Sequence, residues 1–472
     1  MPQKVAVLGL DCADPKLVFE QFRPQLPVLS KLMDSGMWGR LRSTDPPITC
    51  PAWMVMVTGT SPGELGIYGF RNRTDHSYGG LGIATSSWIK HETVWDVLSR
   101  VNRKCITYAV PLTFPPKPLN GCQVGCFLTP GQDSNYTFPM SLRDEMTKAT
   151  GPYVPDVPGF RTNDKVSLLK RVYEMTDSHT AQVKWLLKNK PWDFFMMVEM
   201  GVDRIHHGFW KYFDTTHPRY EANPQLKSCM QDYYRHVDAS LGKILEDIPD
   251  DAWVAVVSDH GIKSMVGGIA FNEWLIQQGY LVLKTRPEKQ TPIGKCDIDW
   301  AKTRAWGDGG YYGRLFLNIK GREPQGVIPP EQVESFKQEL SAKIKALCDD
   351  KGKLIQDTKV LRPEDLYDQV NGIAPDLIVY FGGLYWRSVG SVGGPNPQIH
   401  TFENDSGPDD ANHAEDGIFI LSTKARMKSG ARGPGQRSGL HIRSVAKTVL
   451  KLQGVEPPAG MGGAAFDLSG LL

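Results

Sequence analysis

The chain has 472 residues, 40% of them hydrophobic and 22% charged, the make-up of a globular protein with room for a large core and about two to three domains. A net charge of +2, with no long Lys/Arg run, argues against a dedicated nucleic-acid binder. The eight cysteines, at 12, 50, 105, 122, 126, 229, 296 and 348, form no CxxC pair and suggest neither a zinc ribbon nor a disulfide framework.

The opening residues run straight into a strand pattern with no signal peptide, and no stretch is long enough to span a membrane, so a cytoplasmic protein is expected. Lys4–Leu10 is a short apolar run closed by Asp11, the pattern of a buried strand with an acid at its carboxyl end. Leu26–Met33 has helical spacing and ends at Gly36, and Met37–Arg42 is a second strand. From Ser43 a proline-rich turn leads to Thr49-Cys50, where Pro51 opens an apolar run that Gly59 closes. The preference of proline for the first helical turn predicts a helix over Pro51–Thr58. Thr49 then lies at a helix N-terminus, where free N–H groups and the macrodipole favour an anion. Taken alone, such a threonine reads as an N-cap. The metal-ligand residues elsewhere in the chain change that reading.

Asp75–Ser87 is Gly- and Ser-rich and reads as a loop, Thr93–Val101 as a helix and Cys105–Val110 as a strand. Pro111–Pro158, dense in proline and glycine, reads as irregular excursions bordering a site. Asn163 or Asp164 caps a long amphipathic helix to about Lys188, with Val166, Leu169, Val172 and Tyr173 on one face. Asp193–Val198 is the next buried strand, followed by Gly201, Asp203 and His207. Pro224–Leu245 is helical, and Trp253–Val257 is a strand running into Ser258-Asp259-His260-Gly261. Beyond it come a short helix over Phe271–Gln278, a strand over Arg314–Ile319, a helix over Pro330–Cys348 and a strand over Leu377–Tyr380. Tyr385–Gly407 is a long aromatic and glycine-rich loop ending near His413. Gly417–Leu421 is a strand and Ile442–Leu452 the last helix. This alternation predicts an α/β fold, a mostly parallel sheet with helices on both faces.

In such sheets ligands bind beyond the carboxyl ends of the strands. Asp11, Asp203 and Asp259-His260 all fall on that edge, and Asp203 and His207, four apart, share a face if their segment is helical. Acids and imidazoles gathered there suit Zn²⁺ or Mn²⁺. Two such ions answer the charge that develops in phosphoryl transfer, and a metal activates a threonine hydroxyl without a histidine base.

The segments GLDCADP, PPITCPAWMVMVTGTSPGELGIYGF, GVDRIHHGFW, VVSDHG followed by FNEWLIQQGYL, and NHAEDGIFI together resemble the alkaline phosphatase superfamily. Within it the resemblance is to type I phosphodiesterase and nucleotide pyrophosphatase-like proteins, and the tail KTVLKLQGVEPPAGMGG resembles the family's closing helix. The resemblance implies an alkaline-phosphatase-like core over 1–260 and 408–472, with 261–407 inserted as a cap that confers specificity. It implies one metal held by Asp203, His207 and His413 and a second held by Asp11, Asp259 and His260. Thr49 stands between them as ligand and nucleophile, and the reaction passes through a phosphothreonine. Zn²⁺ is the expected metal, with Mn²⁺ the alternative. His207 is chosen over His206 by the family's spacing, which makes His206 a neighbour that shapes the site. His413 rests on the resemblance alone.

Two positions depart from the family pattern. Phe70 stands where nucleotide pyrophosphatases often carry an asparagine donor, which leaves the Cys50 backbone N–H, Arg71 and Asn72 as candidate transition-state donors. Cys50 lacks the following arginine of the sulfatase pattern and reads as packing or as a backbone donor. Trp306-Gly307-Asp308, Tyr311-Tyr312-Gly313-Arg314 and Tyr385-Trp386-Arg387 are candidates for lining a substrate pocket, with Arg314 as a phosphate binder. The expected substrate is a small phosphate ester, nucleotide-like. Phosphomonoester, phosphonate and sulfate hydrolysis, phosphate transfer between hydroxyls, and a non-catalytic binding role are the rival readings.

Overall fold

Short apolar runs, buried on both sides, form the middle of a ten-stranded sheet with Val5–Leu10 at its centre. In the computed structural model, which describes residues 3–394 and 397–471, this strand pairs in parallel with Phe194–Glu199 and with Trp253–Val257. Cys105–Tyr108 and Gly121–Val124 continue the parallel set, and Thr137–Phe138 closes that edge antiparallel. On the other side Asp416–Thr423 runs antiparallel to both Trp253–Val257 and Met37–Arg42. The two-residue strands Gly435–Gln436 and Leu440–His441 lie parallel to Met37–Arg42.

The two-residue period of a strand divides the apolar side chains between two cores. Ala6, Leu8 and Leu10 pack with the helices Pro27–Ser35, Lys165–Asn189, Gly201–Phe213 and Cys229–Glu246. Val5 and Val7 pack with Thr49–Thr58, Val94–Arg100 and Val445–Leu452. Helices therefore cover both faces, as the alternation of elements predicts.

A smaller antiparallel sheet stands in the order Ala305–Asp308, Gly313–Leu317, Leu377–Tyr380, Lys359–Leu361. It has its own hydrophobic cluster, drawn from residues 269 to 381 and including the helices Phe271–Gln277 and Val333–Lys345. The loop after Gly69 reaches into this cluster. Tyr78 stacks on Trp300 with ring centroids 3.7 Å apart, and the Arg73 guanidinium lies 5.2 Å from the Trp306 ring centre.

Several elements differ from the sequence reading. Pro111–Pro158 is not all irregular: it holds the sheet strand Gly121–Val124 and the helix Leu142–Thr150. Residues 75–87 contain the strand Leu81–Ile83, paired with Arg71–Arg73. The long helix starts at Lys165 with Asp164 capping Ser167 N–H at 3.2 Å, as expected, but Val166 is 57% exposed. Its buried stripe runs through Leu168, Val172, Met175, His179, Val183 and Leu186. Residues 224–228 are turn rather than helix, which begins at Cys229. The region Tyr385–Gly407 includes the strands Trp386–Val389 and His400–Thr401, which flank Gly267–Ala270; positions 395 and 396 lie outside the described residues.

Candidate active site

The helix Thr49–Thr58 begins two residues earlier than the proline predicts, so Pro51 is its third residue. Ile48 is the N-cap, in extended conformation, and offers no side-chain cap. Ala52 N–H already bonds Ile48 C=O at 3.0 Å, whereas among the described residues no hydrogen bond engages the N–H of Thr49 or Cys50. Those two amides therefore point their unused donors off the helix end, where an anion is favoured. Thr49 is not a cap. Its Oγ1 lies 3.3 Å from His260 Nε2.

The other members arrive from strand ends. Asp11 follows Val5–Leu10, Asp259 and His260 follow Trp253–Val257, and Asp203 and His207 share one face of the helix Gly201–Phe213 after Phe194–Glu199. His413 comes from Ala411–Ala414, which pairs antiparallel with Gly261–Ser264 and so lies beside His260. The two imidazoles stack with centroids 3.7 Å apart.

His260 Nε2 lies 3.2 Å from Asp259 and 3.8 Å from Asp11. Asp203 Oδ1 lies 3.2 Å from His207 Nε2 and 4.0 Å from His413 Nε2. Three overlapping groups have donor atoms within 4.8 Å of one another: Asp11 with Asp259 and His260, Asp203 with His260 and His413, and Asp203 with Cys12 and His207. The structure thus brings together all seven residues expected from the sequence, with Asp203 joining the two halves.

The donor set fits divalent cations by a separate criterion. His207 Nδ1 is engaged by Asp409 at 2.8 Å, His413 Nδ1 by Pro47 C=O at 2.8 Å and His260 Nδ1 by Gly261 C=O at 3.1 Å. Each contact places a proton on Nδ1, and in His260 and His413, whose charged forms burial disfavours, it leaves Nε2 with its lone pair directed at the cluster. Asp11 Oδ1, Asp259 Oδ2, His207 Nε2 and His413 Nε2 are buried with no hydrogen-bond partner. Buried polar atoms are seldom left so, and four in one cluster mark a place for ions.

Burial and the mutual charges of the cluster govern its protonation. Burial, and then the charge of Asp203, pushes Asp11 well above the usual carboxylate range; burial and then Asp11 do the same to Asp259. Burial opposes ionisation of Asp203, but His207 and Arg204 hold it well below that range. Burial takes His260 down to about 4 and, with His260 and His207 nearby, holds His413 well below its ordinary value. Burial also disfavours the charged form of His207, but Asp409, Tyr311 and Asp203 raise it overall.

Other residues position these groups, and the sequence reading missed most of them. Trp53 Nε1 donates to Asp11 Oδ2 at 2.6 Å from one turn along the helix Thr49–Thr58. Its ring fits only because residue 9 is glycine, where a β-carbon would come within 2.6 Å of the indole. Asp409 binds Arg161 at 2.7 Å and also pairs with Arg387. Arg204 bridges Asp203 to Asp156, gripping the latter with contacts of 2.8 and 2.7 Å. Tyr311, from beside the smaller sheet, stacks on His413 with centroids 3.9 Å apart. His206, expected as a neighbour, is pushed down to about 3 by burial and accepts from the Tyr234 hydroxyl at 3.0 Å.

The candidate substrate residues divide. The Cys50 thiol is buried, and burial raises it well above its ordinary range, which leaves the backbone N–H as its useful donor. Asn72 spends its amide on a turn, accepting from Tyr68 N–H at 2.7 Å and donating to Gly69 C=O at 3.0 Å. Arg314 is buried between Asp308 and the Arg71 carbonyl, while Arg71 itself is exposed. Trp306 packs inside the smaller cluster, and Arg387 lies over the Tyr311 ring at 4.6 Å. Ile48, next to Thr49, packs with Tyr312, Ile378, Tyr380 and Leu384, edged by Phe70 and Tyr311. The helix Thr49–Thr58 therefore starts where the large sheet meets the small one.

The mostly parallel sheet, with acids and imidazoles at its strand ends, has the alkaline-phosphatase-like α/β fold. The family model for type I phosphodiesterase / nucleotide pyrophosphatase matches residues 5–409, and the chain belongs to that family of phosphoric ester hydrolases. Among solved structures, murine ectonucleotide pyrophosphatase/phosphodiesterase 5 is similar at 12% identity and a TM-score of 0.53, covering 98% of each chain. A threonine-to-alanine form of it, described as inactive and in complex with AMP, matches at 11% identity and a TM-score of 0.53, covering 98% of this chain and 97% of that one. At such identities the likeness is one of fold. No curated protein matches the sequence. No helix among the described residues is long and apolar enough to cross a membrane.

Proposed function

We propose that the protein is a two-metal phosphodiesterase, acting on a small nucleotide-like phosphate ester through Thr49. The observation that carries this is the position of Thr49 Oγ1. It sits at a helix end with two unengaged amides, 3.3 Å from His260, beside four buried donor atoms that have no partner. Asp203, His207 and His413 would hold one ion, and Asp11, Asp259, His260 and Thr49 the other. When bound, such ions neutralise developing charge and lower the pKa of a hydroxyl.

The chain's own residues do the rest. Trp53 and Arg204 hold the carboxylates of Asp11 and Asp203 in place, and the Nδ1 contacts hold the imidazoles. Thr49 Oγ1 forms a bond to phosphorus as the bond to the leaving alcohol breaks, and the hydroxyl proton leaves with that alcohol. The Cys50 N–H and the helix N-terminus face the oxyanion charge that builds. Water then cleaves the phosphothreonine, restoring Thr49 and releasing a phosphomonoester. The region 261–407 contributes specificity in this reading, supported by Tyr311 stacking on His413. The AMP held by the similar murine protein agrees with a nucleotide-like substrate.

The test is hydrolysis of p-nitrophenyl esters by metal-stripped protein with Zn²⁺ or Mn²⁺ restored. The panel is a phosphomonoester, a phosphodiester, a phosphonate monoester and a sulfate. Metal-dependent preference for the diester is expected. Activity unaffected by stripping would overturn the two-metal reading, and preference for the sulfate or the monoester would overturn the substrate class.

A further inference from the structure

Cys12 directly follows Asp11 and takes a φ of +66°, the left-handed region that a β-carbon makes costly and glycine enters freely. Its Sγ lies in a buried group with one carboxylate oxygen of Asp203 and a ring nitrogen of His207, all within 4.8 Å of one another. The second observation is His207 itself. With Nδ1 engaged by Asp409, its buried Nε2 lies 3.2 Å from Asp203 Oδ1 and makes no hydrogen bond. The present neighbours of the sulfur are weak ones, Gly261 C=O at 3.5 Å and His206 Nδ1 at 3.5 Å. His206 keeps its firmer contact, at 3.0 Å, for the Tyr234 hydroxyl, so the thiol is not needed to satisfy it.

We propose that Cys12 is a sulfur ligand to the ion held by Asp203 and His207. The inference rests on the metal reading above and adds to the oxygen and nitrogen donors a soft one. As the metal–sulfur bond forms, the S–H bond breaks and its proton leaves to solvent, since only the thiolate ligates. A thiolate in the set favours Zn²⁺ over Mn²⁺, because soft donors select zinc and hard oxygens select manganese.

The full chain, stripped of metal and reloaded with Co²⁺, tests this by spectroscopy. Visible d–d bands report that the His and Asp donors hold the ion, and a near-ultraviolet charge-transfer band reports sulfur. Wild type and Cys50→Ala should show both. Cys12→Gly, which suits the backbone at that position, should keep the visible bands and lose the near-ultraviolet one. Loading wild type should also release one more proton than loading Cys12→Gly. Visible bands without charge transfer in wild type, or a charge-transfer band that survives in Cys12→Gly, would overturn the ligand while leaving the metal reading intact. Absence of every band would overturn both.

Discussion

The two sheets of the molecule handle buried charge in opposite ways. In the smaller one, Glu323 meets Arg73 at 3.2 Å and Arg322 at 3.0 Å and accepts Ile319 N–H at 2.9 Å. Asp376 takes two contacts from Arg322, at 2.7 and 2.8 Å, and another from Leu317 N–H at 2.7 Å. Both of these buried acids have their cations within the chain. At the carboxyl edge of the large sheet the acids and imidazoles are just as buried, yet four of their atoms lack partners. The first arrangement is complete as folded protein. In the proposed reading the second is completed by ions from outside, which is how an architectural charge cluster differs from a chemical one.

Substitutions on each side sharpen that contrast. Thr49→Ala should lower turnover by at least about 10³-fold, as loss of a nucleophile does, with metal content and melting temperature unchanged. Loss of metal together with activity would recast Thr49 as mainly a ligand or a structural cap. Glu323→Gln should do the reverse, costing about 3–5 kcal/mol of stability in denaturant titration because buried arginines lose their partner, while metal content stays the same. Asp409→Asn should weaken metal binding by about 10–100-fold, measured by competition with a chelator, since it removes the charge behind His207 Nδ1.

The smallest effect concerns pH. Burial disfavours the charged form of His179, yet Glu199, 3.1 Å from Nδ1, raises its pKa above the ordinary value. A raised histidine pKa contributes stability that is fully present below the unfolded value of about 6.5 and is lost as pH rises through the folded value. Melting temperatures taken from about pH 6 to about pH 9 should therefore show a wild-type advantage over His179→Gln that shrinks as pH rises. An advantage that stays constant across the range would mean the contact is not ionic.

The same contrast explains what the sequence could reveal. Trp253–Val257, Met37–Arg42 and Leu377–Tyr380 match their readings residue for residue, because a short β-rich run flanked by turn residues is a local signal. Gly121–Val124 escaped notice because Gly-Cys-Gln-Val carries little apolar pattern and owes its strand to the Cys105–Tyr108 neighbour. Leu142–Thr150 escaped because only Leu142 and Met146 of its residues are buried. At the site, Asp11, Asp203 and Asp259-His260 were legible as acids at strand ends, whereas His413 needed the family resemblance. Trp53, Asp409 and Arg161 were invisible, since their roles arise from contacts across the fold that no spacing encodes. The assignment of Asn72 as a donor competed with turn chemistry, which consumes its amide.

The most direct test of the account is to quench the enzyme during turnover of a p-nitrophenyl phosphodiester and map the peptide that contains Thr49 by mass spectrometry. A phosphoryl ester on Thr49, formed and lost at rates that match turnover, is the predicted result. Full turnover with no adduct on Thr49, or an adduct on Cys50 instead, would contradict it.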